Sequence, residues 1–303
     1  MPKRAYTTVG LLAAGSGTFT WGFGVILFKL TTSPFLIVIF YRHLISLPLV
    51  LGAWLVTRKQ RARLPWAAAG VGGVLFAAHQ MANFGALRYS TAAVVTIFFS
   101  LQPILIGAVG YRVTGERTTP RFYLWALVAV GGCAILVLAS AGQPHTSTVG
   151  TVLAVANLLL WSAYYLATKR ARAQVETMSW LLVMLTVSAA IIGAVAVVAR
   201  QPFGSPRGTE WIYITLLAIV PGTVGHLLVT WAHPHVHAAA SSALVLMVPV
   251  VATAGAAIFV HERFGVGHAV GAAIAIVGAG LAMRHLPGPV TAEAAERIGE
   301  IVT

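Results

Sequence analysis

The chain has 303 residues, of which 58% are hydrophobic and only 9% are charged, whereas soluble domains carry roughly 25% charged residues. This composition excludes a water-soluble globular protein and indicates a chain embedded in lipid. Twenty Lys and Arg residues and seven acidic residues, all Glu, give a net charge of +13. The cations lie in short gaps between apolar runs, so they indicate membrane topology and argue against nucleic-acid binding.

Ten apolar runs are long enough to cross a membrane. A hydrocarbon core about 30 Å thick requires about 20 helical residues, and unpaired peptide groups in lipid make helices obligatory. The runs cover residues 8–28, 34–57, 65–87, 91–112, 120–140, 149–168, 177–199, 209–232, 238–260 and 266–285. We therefore predict an all-α integral membrane protein with ten transmembrane helices, the first of which is retained and not cleaved as a signal peptide.

A sequence repeat divides the chain into two halves, with matching residues 140 or 146 positions apart. The recurring residues are Trp21 and Lys29, which match Trp161 and Lys169, and Pro103 and Glu116, which match Pro249 and Glu262. Because each half contains five spans, an odd number, the second half enters the membrane upside down relative to the first. We predict two inverted five-helix repeats at residues 8–140 and 149–286, followed by a cytoplasmic tail at 287–303.

The cations are distributed unevenly between the two membrane sides. With the N-terminus inside, fourteen fall in cytoplasmic segments, five fall on the opposite side, and Arg42 falls within a span. Short cytoplasmic loops are typically enriched in Lys and Arg. We therefore expect both termini in the cytoplasm and the protein in a plasma membrane, which is the inner membrane in a bacterial-type cell.

A residue pattern in the first half resembles the EamA-like branch of the drug/metabolite transporter superfamily. It comprises Ala86-Leu87-Arg88-Tyr89, Ala92-Ala93, Pro103 and Gly115-Glu116-Arg117-Thr118, with a weaker copy at Ala238-Ala239, Pro249 and Glu262-Arg263. Arg42 and Trp161 also resemble the arginine of the family's second helix and the aromatic residue of its sixth. The resemblance covers residues 8 to 286. It implies two halves around a central cavity and the export or exchange of amino acids, purine-like metabolites or drugs. The sequence departs from the family at His261, where a glycine is usual, so the turn there is expected to differ.

Polar residues at membrane depth are costly, and they are therefore candidates for function. His79 and Asn83 lie four residues apart, on one helical face, and the sixth span carries a polar and aromatic stripe. The predicted substrate-binding residues are Trp21, Arg42, His79, Gln80, Asn83, Ser100, Asn157, Trp161, Tyr164 and His226. No catalytic residue is predicted.

These candidates also have structural interpretations. Trp161 and Tyr164 fit an interfacial aromatic belt, but Trp161 lies about 12 Å from the cytoplasmic end, which favours a cavity wall. His79 and His226 fit hydrogen bonds between helices as well as substrate contact or proton handling. For Arg42 we favour a structural tie to backbone carbonyls, with a substrate carboxylate as the alternative.

Glu116 and Glu262 lie at helix ends beside arginines. We predict that they close turns and cap the next helix, and that Pro103 and Pro249 belong to the same structural motif. Because no carboxylate lies at mid-membrane depth, histidine is the residue type available for proton coupling. Proton antiport, exchange and facilitated diffusion therefore stay open.

The segment His233-Pro234-His235-Val236-His237 contains metal-ligand residue types at close spacing. Since no carboxylate or thiol accompanies it, we interpret it as a hydrated interfacial loop and predict no metal and no cofactor. Cys133 lies within an apolar run and is assigned to packing. The chain has no glycine-rich phosphate loop followed by Lys and Ser or Thr, which argues against ATP hydrolysis.

These features predict a secondary transporter that exports small amino-acid-like, amphiphilic or aromatic metabolites by alternating access. Its partners would be a small-molecule substrate and membrane lipids, and both a monomer and a homodimer fit. Two alternatives stay open. A membrane enzyme acting on a lipid or quinone would need acid/base or metal residues converging at one membrane face, and a non-transporting receptor would be expected to carry a soluble module.

Overall fold

The computed structural model describes residues 3–57, 64–140, 147–259 and 264–287, and within these ranges the chain is helical and contains no strand. The α-helices are α1 (Lys3–Lys29), α2 (Phe35–Thr57), α3 (Trp66–Tyr89), α4 (Ala92–Ser100), α5 (Gln102–Thr114), α6 (Pro120–Ser140), α7 (Thr148–Ala171), α8 (Thr177–Val198), α9 (Glu210–Leu217), α10 (His226–Ala232), α11 (Ala238–Ala243), α12 (Met247–Phe259) and α13 (Val266–Arg284). A π-helical segment, Ala218–Gly225, joins α9 to α10, and 3-10 turns occupy His233–His235 and Leu244–Leu246.

Nine stretches within the described ranges are long and apolar enough to cross a membrane, and they correspond to nine of the ten predicted spans. The remaining predicted span is the third in chain order, at 65–87. It corresponds to α3, which has 24 residues and is therefore long enough to cross a membrane. This helix is less apolar because it carries His79, Gln80 and Asn83. His79 and Gln80 are 4% and 3% exposed, so the polar residues of α3 face the interior of the bundle and not lipid.

Three of the predicted spans are interrupted. The fourth breaks at Leu101, between α4 and α5, and the ninth breaks between α11 and α12. Pro103 and Pro249 each lie in the first turn after the break, where a missing N–H removes no bond within the helix. The eighth span widens into the π-helical segment around Pro221. The proline motif therefore marks where two of the spans restart.

Helices from the first part of the chain pack against helices from the second part. In the first half, α3 packs against α7 and α8 of the second, and α2 packs against α8. Helix α1 contacts α10, α12 and the π-helical segment. Residues of α1, α3 and α7 are thereby brought together between the two halves.

The most extensive contact between two helices joins α6 to α13. Its interface is formed by glycines: a Cβ added at Gly132 would collide with the backbone of Ala275, and one at Gly278 would lie 2.7 Å from the nitrogen of Ala129. Small residues allow such close backbone approach in membranes, where apolar side chains gain little by leaving lipid. The terminal helices of the two halves are therefore joined backbone to backbone.

Candidate functional site

A cavity of about 700 Å³, including its open mouth, lies between the helices of the two halves. Its lining residues are Trp21, Gly24, Val25, Arg42, His79, Gln80, Asn83, Phe84, Leu87, Val95, Thr96, Phe99, Trp161, Leu217, Pro221, His226 and Val248. On α3 the lining reaches Leu87, two residues before the helix ends, and on α1 it reaches Val25, four residues before the end. The cavity therefore extends from the middle of the helices toward the bundle end at which α1 and α3 terminate.

The floor of the cavity is aromatic. The rings of Trp21 and Trp161 meet edge to face, with centroids 5.1 Å apart and an interplanar angle of 86°. His79 lies 4.6 Å from Trp161, and His226 lies 5.1 Å from Trp21, between ring centroids. Such a surface binds flat apolar groups by dispersion and by edge-to-face contact.

Arg42 enters the cavity from α2, held by an irregularity in the eighth span. Pro221 has no N–H, so the carbonyl of Leu217, four residues earlier, lacks its usual helical partner. Arg42 Nε donates to this oxygen at 3.2 Å. A Cβ on Gly222 would lie 2.9 Å from Arg42 Nε, so glycine leaves the space that the guanidinium occupies. The structural tie to a backbone carbonyl expected for Arg42 is thus present.

The amide side chains of α3 link Arg42 and α7 to the cavity wall. Arg42 Nη1 donates to Gln80 Oε1, and Asn157 Nδ2 donates to Asn83 Oδ1 at 3.1 Å. Asn157 is fully buried, so its hydrogen bond ties α7 to α3 inside the bundle. These bonds orient Gln80 and Asn83, both of which line the cavity.

Seven of the ten residues predicted to bind substrate line this cavity: Trp21, Arg42, His79, Gln80, Asn83, Trp161 and His226. The other three lie elsewhere. Ser100 donates to the carbonyl of Thr96 at 2.7 Å, Asn157 lies behind Asn83, and Tyr164 packs on Phe76 with ring centroids 5.0 Å apart. These three side chains do not line the cavity, and their assignment to a substrate site stays a prediction.

Ten lining residues are not among the predicted substrate-binding residues: Gly24, Val25, Phe84, Leu87, Val95, Thr96, Phe99, Leu217, Pro221 and Val248. Most of them are apolar, and the sequence alone does not distinguish an apolar side chain that faces lipid from one that faces a cavity. The adjacent Pro221 and Gly222 were a usable signal, because this pair in the middle of a span predicts an irregular helix that exposes backbone carbonyls.

A charged cluster around Glu116 lies at the opposite end of the bundle. Its Oε1 lies 2.9 Å from Lys169 Nζ, and its Oε2 accepts from the backbone N–H of Ala238 at 2.7 Å. Ala238 is the first residue of α11, so Glu116 caps a helix of the second half. The sequence had predicted that Glu116 would cap the next helix in the chain, α6. Lys169 also donates to the carbonyls of His233, at 2.7 Å, and Val236.

A related arrangement occurs where α1 ends. Lys29 Nζ donates to the carbonyls of Leu87, at 2.6 Å, and Ser90, at 3.5 Å. Lys29 precedes Lys169 by 140 positions, and Leu87 and Ser90 precede His233 and Val236 by 146. Glu262, the predicted counterpart of Glu116, lies outside the described residues, as do His261 and Arg263 and residues 288–303 of the predicted tail.

The hydrated-loop interpretation of residues 233–237 is wrong for His233, which is 3% exposed. Its ring packs against Tyr165, with centroids 4.5 Å apart, because the segment forms a 3-10 turn folded under α7. His237 is more accessible, and its Nδ1 accepts from the backbone N–H of Ala239. In the part of the chain that the structure describes, no group of three His, Cys, Asp or Glu residues could hold a metal ion.

Comparisons with known proteins agree with this architecture. A crystal structure of a protein that is 20% identical superimposes with a TM-score of 0.77, covering 93% of this chain and 98% of that one, which shows a shared fold. The aromatic amino acid exporter YddG of Ancylobacter novellus is 30% identical over 175 residues, which span 56% of this chain and 58% of that protein. The EamA-like transporter family matches residues 8–138 and again residues 148–284. The chain therefore belongs to the EamA-like transporter family and is a multi-pass membrane protein.

Proposed function

We propose that the protein is a secondary transporter that exports small aromatic or amino-acid-like metabolites by alternating access. The observation that carries the proposal is the cavity itself, in which an aromatic floor and buried polar side chains stand among membrane-crossing helices. Polar groups are retained at such depth where they serve a solute. The YddG relative, an aromatic amino acid exporter, supports both the substrate class and the direction.

Alternating access requires two related halves, and three observations support an inverted repeat. The family matches the chain twice, once in each half. Lys29 and Lys169 make corresponding hydrogen bonds at opposite ends of the bundle. Trp21 and Trp161, which correspond at an offset of 140, are in contact, as expected for residues beside an in-plane twofold axis.

The described conformation corresponds to one of the two states of such a cycle. With both termini in the cytoplasm, the end at which α1 terminates faces outward, so the cavity is open to the outside. On the cytoplasmic side, packed residues separate the cavity from the end of the bundle. This layer runs along α7 from Trp161 to Lys169, which is about 12 Å of helix. Inward opening requires separation of the contacts within it, namely the hydrogen bond between Tyr165 and Ser241 and the links from Glu116 to Lys169 and Ala238.

The proposal is tested by counterflow in proteoliposomes that contain the purified protein. Vesicles are preloaded with aromatic amino acids, aliphatic amino acids, nucleobases or cationic dyes, and uptake of a labelled tracer from the same class is followed with and without a pH gradient. We expect saturable accumulation from the aromatic amino acid pool and none in protein-free vesicles. Absence of accumulation from every pool would contradict the proposal and favour a non-transporting receptor.

A further inference from the structure

We propose that Arg42 binds the carboxylate of the transported compound, so that the cavity selects aromatic carboxylates, with or without an amino group, over neutral and cationic analogues. This inference rests on the proposed function, because it names the substrate class of the same cavity. It assigns to Arg42 a role beyond its tie to the eighth span.

The first argument is the uncompensated charge of Arg42. The side chain is 5% exposed and lies within a membrane-spanning helix. Its contacts among the described residues are two hydrogen-bond acceptors, Leu217 O and Gln80 Oε1, and the ring of Phe84, whose centroid is 5.6 Å from Cζ. None of these carries a negative charge. A buried cation without a counter-ion attracts an anionic ligand strongly, because little water competes for it.

The second argument is the geometry of the guanidinium. Nε and Nη1 are engaged by Leu217 and Gln80, and Nη2 has no hydrogen-bond partner within the described ranges. The residue lines the cavity, so the remaining N–H donors are available to a ligand. Because Leu217 O holds Nε in place, the side chain is oriented before the ligand arrives, which reduces the entropy lost on binding.

The third argument is the absence of a partner for a cation. No side chain that lines the cavity in the described part of the chain is a carboxylate. Of the seven glutamates, Glu116, Glu176 and Glu210 lie at helix ends or between helices, and the other four lie outside the described residues and outside the predicted spans. An amino group on the ligand therefore gains no ion pair from these walls, whereas a carboxylate does.

The fourth argument concerns the rest of the ligand. Trp21, Trp161 and Phe99 line the same cavity as Arg42, and the ring centroids of Phe99 and Trp161 are 5.9 Å apart. A flat apolar group would be accommodated against these rings while a carboxylate contacts Arg42. Together these features describe a ligand in which a carboxylate is attached to an aromatic ring.

The test uses four compounds with one indole ring: tryptophan, indole-3-propionate, tryptophol and tryptamine. At neutral pH they present a zwitterion, a carboxylate alone, a neutral alcohol and a cation alone. Each competes against labelled tryptophan in counterflow, and each is also assayed by the melting shift of the purified protein. Because a hydrogen bond to a charged group contributes roughly 1.5–3 kcal/mol, we expect tryptophol and tryptamine to bind about ten- to a hundredfold more weakly than indole-3-propionate.

Two variants separate ligand binding from a structural role. Arg42→Gln is expected to abolish the preference for indole-3-propionate over tryptophol, and Arg207→Gln, at an exposed position outside the cavity, is expected to retain it. If Arg42→Gln does not fold, Arg42→Lys replaces it and is expected to reduce the preference, because an ammonium keeps the charge but lacks the planar set of N–H donors that bind a carboxylate bidentately. A purely structural Arg42 would lower the melting temperature without changing the order of the four ligands.

The outcomes distinguish the inference from the proposed function. Equal competition by tryptamine, tryptophol and indole-3-propionate in the wild-type protein would overturn the inference while leaving a transporter. Absence of counterflow with any compound would overturn the proposed function, and the melting shifts would still report whether the cavity prefers a carboxylate. Absence of any melting shift as well would overturn both.

Discussion

Trp21 and Trp161 meet edge to face, with ring centroids 5.1 Å apart, although 140 residues separate them in the chain. Each lies eight residues before a lysine that donates to backbone carbonyls at an opposite end of the bundle. Each tryptophan thus lies about 12 Å along its own helix from the lysine that follows it, at 1.5 Å per residue. A ligand held against both rings would lie about midway between the two lysines, as the proposed alternating access would require.

Replacing Trp161 with Phe should weaken substrate binding without unfolding the protein. The smaller ring keeps an aromatic surface but loses part of the contact with Trp21 and His79, and aromatic pairs contribute roughly 0.5–1.5 kcal/mol. We expect a two- to tenfold rise in KM for aromatic substrates in proteoliposomes. Trp66→Phe is the control, since Trp66 is 55% exposed at the start of α3. An equal change in both variants would place Trp161 outside the binding surface.

Glu116 should contribute to stability through two separable interactions. Glu116→Gln keeps an acceptor for the N–H of Ala238 but loses the ion pair with Lys169, whereas Glu116→Ala loses both. We expect a loss of about 1 kcal/mol for the first and more for the second. A double-mutant cycle with Lys169→Met measures the pair directly.

The same Glu116→Gln variant tests whether this residue carries protons. Since Glu116 binds a helix N-terminus and a lysine, we expect the pH dependence of transport to stay unchanged. The pH profile of counterflow in the two proteins decides the point. A shifted pH profile would assign Glu116 to proton coupling. In the double-mutant cycle of the preceding test, an absent coupling energy would mean that the ion pair of Glu116 and Lys169 adds nothing to stability.

His237 should make the protein less stable as the pH falls. Burial lowers the pKa of His237, and Lys169 acts in the same direction, against the opposing effects of Glu116 and of the Arg117 carbonyl. Below the ordinary histidine pKa of about 6.5, the unfolded chain therefore binds more protons than the folded one, so stability decreases as the pH drops through that value. Protonation also removes the acceptor for the N–H of Ala239.

His237→Asn isolates this contribution, because asparagine caps a helix well but does not titrate. The melting temperature should change less between about pH 7.5 and about pH 5.5 in the variant than in the wild-type protein. The difference should correspond to up to about 1 kcal/mol in the free energy of unfolding. Identical pH dependence in wild type and His237→Asn would refute the assignment.

Two adjacent glycines of α6 should respond oppositely to substitution. A Cβ on Gly132 would collide with the backbone of α13, whereas one on Gly131 meets nothing within 4 Å. We expect Gly132→Ala to destabilise the protein by about 1–3 kcal/mol, and Gly131→Ala to be neutral or stabilising by about 0.5 kcal/mol because alanine favours helix. Detergent unfolding midpoints of the two variants provide the measurement. Equal midpoints would mean that the close contact of α6 with α13 does not contribute to stability.

The positions of the helices were predictable from sequence because lipid imposes a minimum length of apolar helix. The span predicted at 34–57 is observed at Phe35–Thr57, and that predicted at 177–199 is observed at Thr177–Val198. The breaks within spans were not predicted, although Pro103 and Pro249 had been singled out. Proline is tolerated both inside membrane helices and at their starts, so its presence alone does not distinguish a kink from a restart.

The cavity residues were predictable where polarity marked them, as for Gln80 and His226. Ser100 does not line the cavity. Its hydroxyl donates to the carbonyl of Thr96 in the preceding turn, as a serine within a helix can. The partner of Glu116 could not be predicted either. A carboxylate in a short loop suggests a local cap, and only the packing of the two halves brings the N-terminus of α11 within its reach.

The backbone contact between α6 and α13 restricts how the protein can move. Packed side chains can change rotamer and slide past one another, but glycines such as Gly132 and Gly278 that rest on a neighbouring backbone have no such freedom. We therefore expect these two helices to remain together in both states of the proposed transport cycle. On the proposed mechanism, the rearrangement would fall to the helices around the cavity, and access could change from one membrane side to the other without lipid entering between α6 and α13.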